Sequence, residues 1–325
     1  MSEMSVYHQL ADTIHAGASK FIPRIYEILL DEDAARVVLA ASPPASCAEL
    51  AETTGIAEDE VQRILDDAYK KGVVLKSRSD VPPKYYRVRD YRQLHDATVL
   101  DPDVSPEVVE LWQGFNREEW PAVSAFIESI LTEPVSRALV ASTALDPDVE
   151  LPPEHDVRVL IREAERIAVT KCSCRVIDGR CGQPLEVCIQ LGRAADYAID
   201  RGSGRELGAD EALQMLADSE QAGLVHTIPR GREIIEICNC CGDCCAAWPA
   251  NRAAWSKFVE PSPFWAVIDP DECIACEDCN ERCPLDAIST DQDAEHSVVN
   301  TEMCVGCGVC AVACPSEAIA MELRA

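Results

Sequence analysis

Apolar residues recur at helical spacing from the first residues of the chain: Leu10, Ile14, Phe21, Ile25 and Leu29 predict a helical arm over residues 1 to about 30. From 34 to 88 the pattern sharpens. It predicts a helix over 36–40, a second from near Ser46, a turn at Gly55, a third helix over 58–70, and short strands at 73–75 and 85–88 joined through Pro82 and Pro83. Residues 96–165 read as helical again. Val108, Leu111, Trp112 and Phe115 fall on one stripe and Val123, Phe126, Ile127 and Ile130 on another, and both stripes are expected in the core. The tetrapeptide Asp-Pro-Asp-Val, at 101–104 and 146–149, marks turns and boundaries. Further on, a strand at 167–170 delivers Cys172 and Cys174. A helix over 210–221 leads to a hairpin of 224–228 and 233–237, turning at 229–232 and ending at Cys238. Both sets of cysteines therefore fall where strands run out, where a rigid scaffold can aim several thiolates at one point.

Length and composition change this picture little: 325 residues with 47% apolar content allow two or three globular domains. Charge and cysteine change it more. A net charge of -28 argues against a nucleic-acid-coating role, since phosphate binding needs clustered Lys and Arg, and favours a docking partner with a basic patch. No basic-then-apolar leader stands in residues 1–20 and no apolar run approaches the ~18 residues of a membrane span, so a soluble, cytoplasmic protein without membrane insertion is expected. In that setting eighteen cysteines, crowded into the second half at ligand-like spacing, point to metal rather than disulfides. Thiolate clusters also imply an anaerobic or strongly reducing cytosol.

The strongest signal is an internal repeat at an offset of 31. Val267, Asp269, Cys273, Cys276, Cys279, Cys283, Pro284, Ala287 and Ile288 recur as Val298, Asn300, Cys304, Cys307, Cys310, Cys314, Pro315, Ala318 and Ile319. Each copy reads Cys-x2-Cys-x2-Cys-x3-Cys-Pro. Three cysteines two residues apart form a tight loop that grips three irons of one cube, and the fourth, opening a helix, points to the other cube. By that rule Cys273, Cys276, Cys279 and Cys314 hold one 4Fe-4S cluster, and Cys304, Cys307, Cys310 and Cys283 hold the second. Zinc has no reason to repeat an eight-cysteine pattern. Over about 264–323 the chain resembles the bacterial two-cluster ferredoxins, which implies a ferredoxin-like fold and one-electron transfer. Residues 266–325 carry thirteen Asp or Glu against Arg282 and Arg324, a local charge of -11. Such surroundings disfavour adding an electron and predict potentials toward the negative end of the ~-700 to +450 mV range, unless solvent screening leaves them unchanged.

Nine cysteines remain between 172 and 245: Cys172, Cys174, Cys181, Cys188, Cys238, Cys240, Cys241, Cys244 and Cys245. A subset of them is expected to bind at least one further iron-sulfur cluster between the 172 strand and the 238 hairpin. Structural zinc and a reactive dithiol are the alternatives. The adjacent pairs 240/241 and 244/245 point apart in extended backbone, so both members rarely serve one cube. Cys-Cys-Gly at 240–242 resembles the cysteine-rich domain of heterodisulfide reductases, which binds an unusual larger cluster. That family places a later Cys-x2-Cys after the motif and repeats the whole, whereas Asp243, Cys244 and Cys245 follow here at once, and its activity does not carry over.

The element order of 34–88 resembles a winged helix-turn-helix domain. Its third helix holds Glu58, Asp59, Glu60, Asp66 and Asp67 against Arg63, Lys70 and Lys71, a poor face for phosphates. From Lys70 to Arg92, by contrast, eight basic residues face only Asp80 and Asp90. His155 and His226 read as surface or core side chains rather than ligands, and Cys47 as a small buried one. No dinucleotide or phosphate-loop glycine pattern and no Ser-His-Asp arrangement is present, and no catalytic residue is assigned.

The expectation is an α+β multidomain chain: a helical arm and winged-helix-like domain (1–95), a helical connector (96–165), a cysteine-rich α/β middle domain (166–260) and a C-terminal ferredoxin-like dicluster domain (261–325). The expected function is electron transfer, relaying low-potential electrons between an oxidoreductase partner such as a flavoprotein and a terminal acceptor. Two alternatives stand beside it: a redox-sensing transcriptional regulator that binds DNA, and a reductase whose middle cluster acts on substrate.

Overall fold

The computed structural model describes residues 4–146, 148–231, 233–246, 248–249, 251–291, 293 and 295–324. Pro147 of the second Asp-Pro-Asp-Val and Arg232 of the expected hairpin turn lie outside them. The chain forms two compact units, Met1–Ala122 with Arg201–Ser203, and Val123–Asp200 with Gly204–Ala325.

In the first unit α1 (Val6–Asp12), α2 (Ile22–Leu29) and α3 (Glu32–Ala40) precede a short strand β1 (Ala45–Ser46), then α4 (Cys47–Thr54), α5 (Glu58–Lys71), β2 (Val74–Lys76) and β3 (Lys84–Arg87). The starts and stops have local causes. Asp31 accepts from the Ala34 N–H to open α3, Ser46 and Glu49 form a reciprocal capping box at α4, and Gly55 ends α4 at a left-handed φ of 72°. The three strands pair antiparallel in the order β1-β3-β2. Helices α6 (Tyr91–Val99) and α7 (Pro106–Glu118) complete the unit. Trp112 is fully buried there and donates its indole N–H to Thr98 Oγ1 at 3.1 Å. Cys47 is half-buried rather than interior, its Sγ on the Glu58 carbonyl at 3.4 Å, because it occupies the exposed opening turn of α4.

Helix α8 (Trp120–Ile130) corrects one expectation: Phe126 and Ile130 are 64% and 58% exposed. The face turned inward is the neighbouring one, through buried Ser124 and through Ile127 and Leu131 against an apolar core. Two apolar stripes compete on this helix, and spacing alone does not say which finds a partner.

The second unit is built on a seven-stranded sheet, ordered β10-β4-β8-β9-β6-β5-β7. Its members are β4 (Ser136–Ala138), β5 (Ile167–Lys171), β6 (Glu186–Leu191), β7 (Gly204–Leu207), β8 (Val225–Pro229), β9 (Glu236–Cys240) and β10 (Val259–Glu260). Helices α9 (Val157–Glu163), α10 (Ser173–Asp178), α11 (Arg193–Asp200), α12 (Ala209–Gln221) and α13 (Trp255–Phe258) connect them. The stretch expected to be helical to 165 thus contains a strand, and the expected hairpin is displaced, with its second strand running through Cys238 to Cys240. Ile161, Ile167, Val169, Ile189, Leu191, Leu216 and Ile237 form the core between this sheet and α9 and α12.

The C-terminal part pairs β11 (Phe264–Ile268) with β14 (Ile319–Leu323) and β12 (Ile288–Asp291) with β13 (His296–Val299), with short helices α14 (Asp278–Arg282) and α15 (Val309–Ala313) between. Among the described residues no helix is long and apolar enough to cross a membrane.

Candidate metal centres

The repeat in sequence is a repeat in backbone. Ala275 and Glu277 have φ of 50° and 69°, and their counterparts 31 residues on, Gly306 and Gly308, have 73° and 78°; Asp286 and Glu317 match in the same way at 52° and 55°. The Cys273 N–H donates to the Asp269 carbonyl at 3.1 Å and Cys304 to Asn300 at 3.0 Å. Each Cys-x2-Cys-x2-Cys segment therefore winds into the same loop.

Two cavities result. Cys273, Cys276 and Cys279 of the first loop line one together with Cys314, beside Ile268, Ile274 and Ile319. Cys304, Cys307 and Cys310 line the other together with Cys283, beside Leu285, Ile288 and Val309. Backbone donors reach the sulfurs: Ala287 N–H to Cys283 Sγ at 3.2 Å and Ser297 N–H to Cys273 Sγ at 3.5 Å. Four thiols around an apolar hollow, with N–H groups to spread the charge of bound thiolate, fit a cubane cluster. Burial pushes the Cys307 thiol up to about 12 and raises Cys279, Cys283 and Cys310 as well. Filling the cavities thus expels protons, and binding strengthens as pH rises.

The two loops differ in exposure. Cys276 is exposed and Ile274 is 63% exposed, whereas Cys304, Cys307 and Cys310 are all buried. The segment after β4 covers the second loop, and the Ala141 N–H donates to the Cys307 carbonyl at 2.8 Å. Crowding by that segment at Gly308, and by the start of β11 at Gly306, explains why glycine occupies the second loop. A Cβ on Gly306 would stand 2.1 Å from the Phe264 carbonyl oxygen, and one on Gly308 3.0 Å from Ala144 Cβ; at the matching positions Ala275 is half-buried and Glu277 exposed. Gly306→Ala is expected to cost about 3 kcal/mol and to deplete the second cavity's iron, whereas Gly55→Ala, with the same sign of φ and open space around it, is expected to cost about 1 kcal/mol. Denaturation and iron analysis of the two variants check this.

The nine middle cysteines divide. Cys181, Cys241 and Cys244 place their Sγ atoms within 4.8 Å of one another, and no other set of three or more ligand residues closes so tightly among the described residues. The remaining six form a chain of contacts, Cys172 with Cys174, Cys174 with Cys245, Cys245 with Cys240 at 3.2 Å, Cys240 with Cys238, and Cys238 with Cys188, and Cys172 joins the two groups by packing with Cys181 against Cys241 and Cys244. Strand pairing causes this grouping. Thr170 faces Cys188 across β5 and β6, and Ile189 faces Ile237 across β6 and β9, which sets Cys188 beside Cys238. Alternation along β9 puts Cys238 and Cys240 on one side and leaves Cys241 to the other group. Hydrogen bonding to Cys238, followed by burial, raises the Cys188 thiol. Burial would raise Cys241 too, but the N–H groups of Cys244 and Asp243 and the Arg175 guanidinium lower it.

The middle and C-terminal thiols share one apolar core. Cys240, Cys307, Trp248, Trp255, Leu285 and Val309 pack together, with Cys238, Cys245 and Cys283 at the margin. The Cys-Cys-Gly turn lies on the C-terminal part directly, since a Cβ on Gly242 would stand 3.3 Å from Pro284.

The sequence carried no sign of one feature. Glu220, fully buried, accepts from Ser142 N–H at 2.7 Å, Thr143 N–H at 3.0 Å, both hydroxyls, and His226 Nε2 at 3.0 Å. His226 Nδ1 meets Asn239 Oδ1, between Cys238 and Cys240. His226 is therefore a core histidine; His155 is half-buried in the 3-10 turn Pro153–His155.

No curated protein and no solved structure matches the chain. Residues 266–321 match the family model of the 4Fe-4S dicluster domain. The chain thus carries a C-terminal 4Fe-4S dicluster domain, which implies two 4Fe-4S clusters, and further cysteines that could hold another.

Proposed function

We propose that this protein is an iron-sulfur electron-transfer protein or subunit, passing low-potential electrons from an oxidoreductase partner, such as a flavoprotein, through the dicluster domain to a centre on the middle cysteines. The observation that carries the reading is the single apolar core containing Cys283 and Cys307 as well as Cys238, Cys240 and Cys245. In this reading Cys273, Cys276, Cys279 and Cys314 hold the entry cluster, whose loop meets solvent. Cys304, Cys307, Cys310 and Cys283 hold an interior relay cluster, and the middle centre is the next acceptor. The clusters supply the redox chemistry, and the chain fixes their spacing and keeps water from the relay. The local charge of -11 supports low potentials.

Anaerobic iron analysis and rapid-freeze spin resonance after mixing with a reduced donor test it. More than the eight irons of the dicluster domain and reduction of the dicluster signals before the middle signal are expected. Eight irons with no excess, or a middle centre reduced just as fast when the relay cluster is removed, would sink the proposal.

The regulator reading rests on the first unit, whose helix-strand-helix-helix-hairpin order supports a winged helix. Its cations weigh against DNA. Lys70 pairs with Asp103 at 2.6 Å and Lys71 with Asp67 at 2.7 Å, Arg63 pairs with Glu60, and Lys76 lies over the Tyr69 ring at 4.3 Å. Docking to protein is the better-supported role. Duplex DNA is expected to show no shift at ~0.15 M salt, and a shift that survives there and follows cluster oxidation would favour the regulator.

A further inference from the structure

We propose that Cys181, Cys241 and Cys244, completed by Cys172, bind a single zinc ion. The proposal goes beyond the electron-transfer reading and leaves Cys174, Cys188, Cys238, Cys240 and Cys245 for the middle centre of that reading. Spacing decides the number of metals. The three sulfurs of Cys181, Cys241 and Cys244 lie within 4.8 Å of one another. Thiolates bound to one tetrahedral zinc at ~2.3 Å stand ~3.8 Å apart, whereas those around a cubane stand about 6.4 Å apart, so the trio closes on one ion. Cys172 packs with Cys181 against Cys241 and Cys244, beside Val187 and Leu224. Its sulfur lies outside the 4.8 Å group, on the side of Cys174, and no histidine or carboxylate among the described residues closes on the trio. Cys172 is therefore the donor at hand for the fourth corner.

The Cys-x2-Cys turn at 241–244 is built for a thiolate-bound ion. Its carbonyls are held from outside: that of Cys241 accepts from Trp248 Nε1 at 3.1 Å, that of Gly242 from Arg252, and that of Asp243 from Arg180 at 3.3 Å. With the carbonyls so engaged, the Cys244 N–H donates to Cys241 Sγ at 3.3 Å and the Asp243 N–H faces the same sulfur. Such a turn presents two thiolates to one ion and spreads their charge over backbone donors. Arg175 adds a full positive charge. It is 2% exposed, its guanidinium lies beside Cys241 and within electrostatic reach of Cys172 and Cys181, and its Nε has no hydrogen-bond partner. A buried guanidinium is costly without an anion beside it. Zinc with four thiolates is a dianion, which Arg175 half neutralises. Thiolates suit both zinc and ferrous iron, and the Irving–Williams order puts zinc first.

The full chain, isolated anaerobically with both metals supplied and the dicluster signals complete, is expected to carry one zinc per chain beside its iron. Zinc-edge X-ray absorption on that unmodified chain should show four sulfurs at ~2.3 Å. A Cys181→Ser/Cys244→Ser variant that keeps the dicluster signals should lose the zinc. Cys172→Ser should weaken zinc binding by more than the roughly tenfold that loss of a supporting group costs. The absorption measurement stands even if a variant misfolds. Absence of zinc, zinc retained by the double variant, a shell dominated by nitrogen or oxygen, or the spin-resonance signal of a lone ferric ion at the site would overturn the proposal. A three-sulfur shell that Cys172→Ser leaves unchanged would overturn the assignment of Cys172. Absence of zinc with iron above eight per chain leaves the electron-transfer reading standing, whereas one zinc with eight irons removes that reading and leaves the zinc site.

Discussion

Stripping iron from the intact chain with a chelator under reducing conditions is expected to unfold residues 264–324 and leave the helices of the first unit folded. One buried cluster of the dicluster domain consists of Ala266, Cys279, Ala287, Ile288, Cys304, Cys310 and Ile319, three of its seven members cysteines, while Leu285, Val305, Cys307 and Val309 pack into the core shared with the middle thiols. Two two-stranded ribbons and two five-residue helices surround it, and such elements are not stable alone in water. Much of the energy that holds them is therefore expected to come from bound metal, which for thiolate sites is on the order of 10 kcal/mol. The first unit has a conventional core, including Leu10, Ile25, Tyr26, Val37, Leu65 and Trp112, with no buried cysteine. Hydrogen exchange checks the contrast. Amides of β11 to β14 should lose nearly all protection on chelation, while those of α2, α5 and α7 keep theirs. Persisting protection in β11 and β14 after complete iron loss would show that the cavities are preformed and that the cluster energy is not folding energy.

What the sequence discloses follows the range of the interactions involved. The cysteines of each dicluster loop stand three to six positions apart and the fourth follows at the same offset in each copy, so the repeat and both cavities' cysteines could be read along the chain, whereas the left-handed backbone at Ala275, Glu277, Asp286 and Glu317 carried no glycine to announce it. The difference between the loops could not be read there either. It arises because a segment more than 150 residues upstream, Val140 to Ala144, lies over Gly308, and only the glycines at 306 and 308 hint at a crowded side. The middle cysteines are intermediate. Alternation separates Cys240 from Cys241, but joining Cys188 to Cys238 requires knowing that β6 pairs with β9, and β6 has no spacing signal stronger than its neighbours. Phe126 and Ile130 fail for the same reason in reverse, since a good amphipathic stripe stays exposed among the described residues.

Glu220 is the extreme case. It sits in a helix rich in exposed acids, where one more glutamate reads as solvated surface, yet it ties α12 to Ser142 and Thr143 and, through His226 and Asn239, to the strand bearing Cys238 and Cys240. The same turn supplies the Ala141 N–H that caps the second cluster loop. One carboxylate thus holds the second cavity and the middle thiols on a common frame, and because four of its five donors belong to Ser142 and Thr143, far upstream, the role is visible only in three dimensions.

Glu220→Gln is accordingly expected to be among the most damaging single isosteric changes outside the cysteines. Burial alone would raise this carboxyl, but the hydrogen bond and charge of His226, with the Thr143 donors, hold it at about 2 against an ordinary 4.5. That displacement corresponds to about 3 kcal/mol favouring the fold. The sign follows from the depressed folded value: the contribution is complete above about pH 5, shrinks as pH falls from 4.5 toward 2, and is gone below. Glutamine lacks this titration, so at neutral pH the variant should be less stable by about 3 kcal/mol, and the gap to the unmodified chain should close on acidification. Cluster loss in acid affects both proteins alike, so the difference between them is the quantity to follow. Native-state hydrogen exchange at the Leu139 and His226 amides, which flank the site, measures it at successive pH values. Equal protection at neutral pH would mean that the buried carboxylate contributes nothing net, and a gap that persists unchanged near pH 2 would place the loss in packing rather than in the charge.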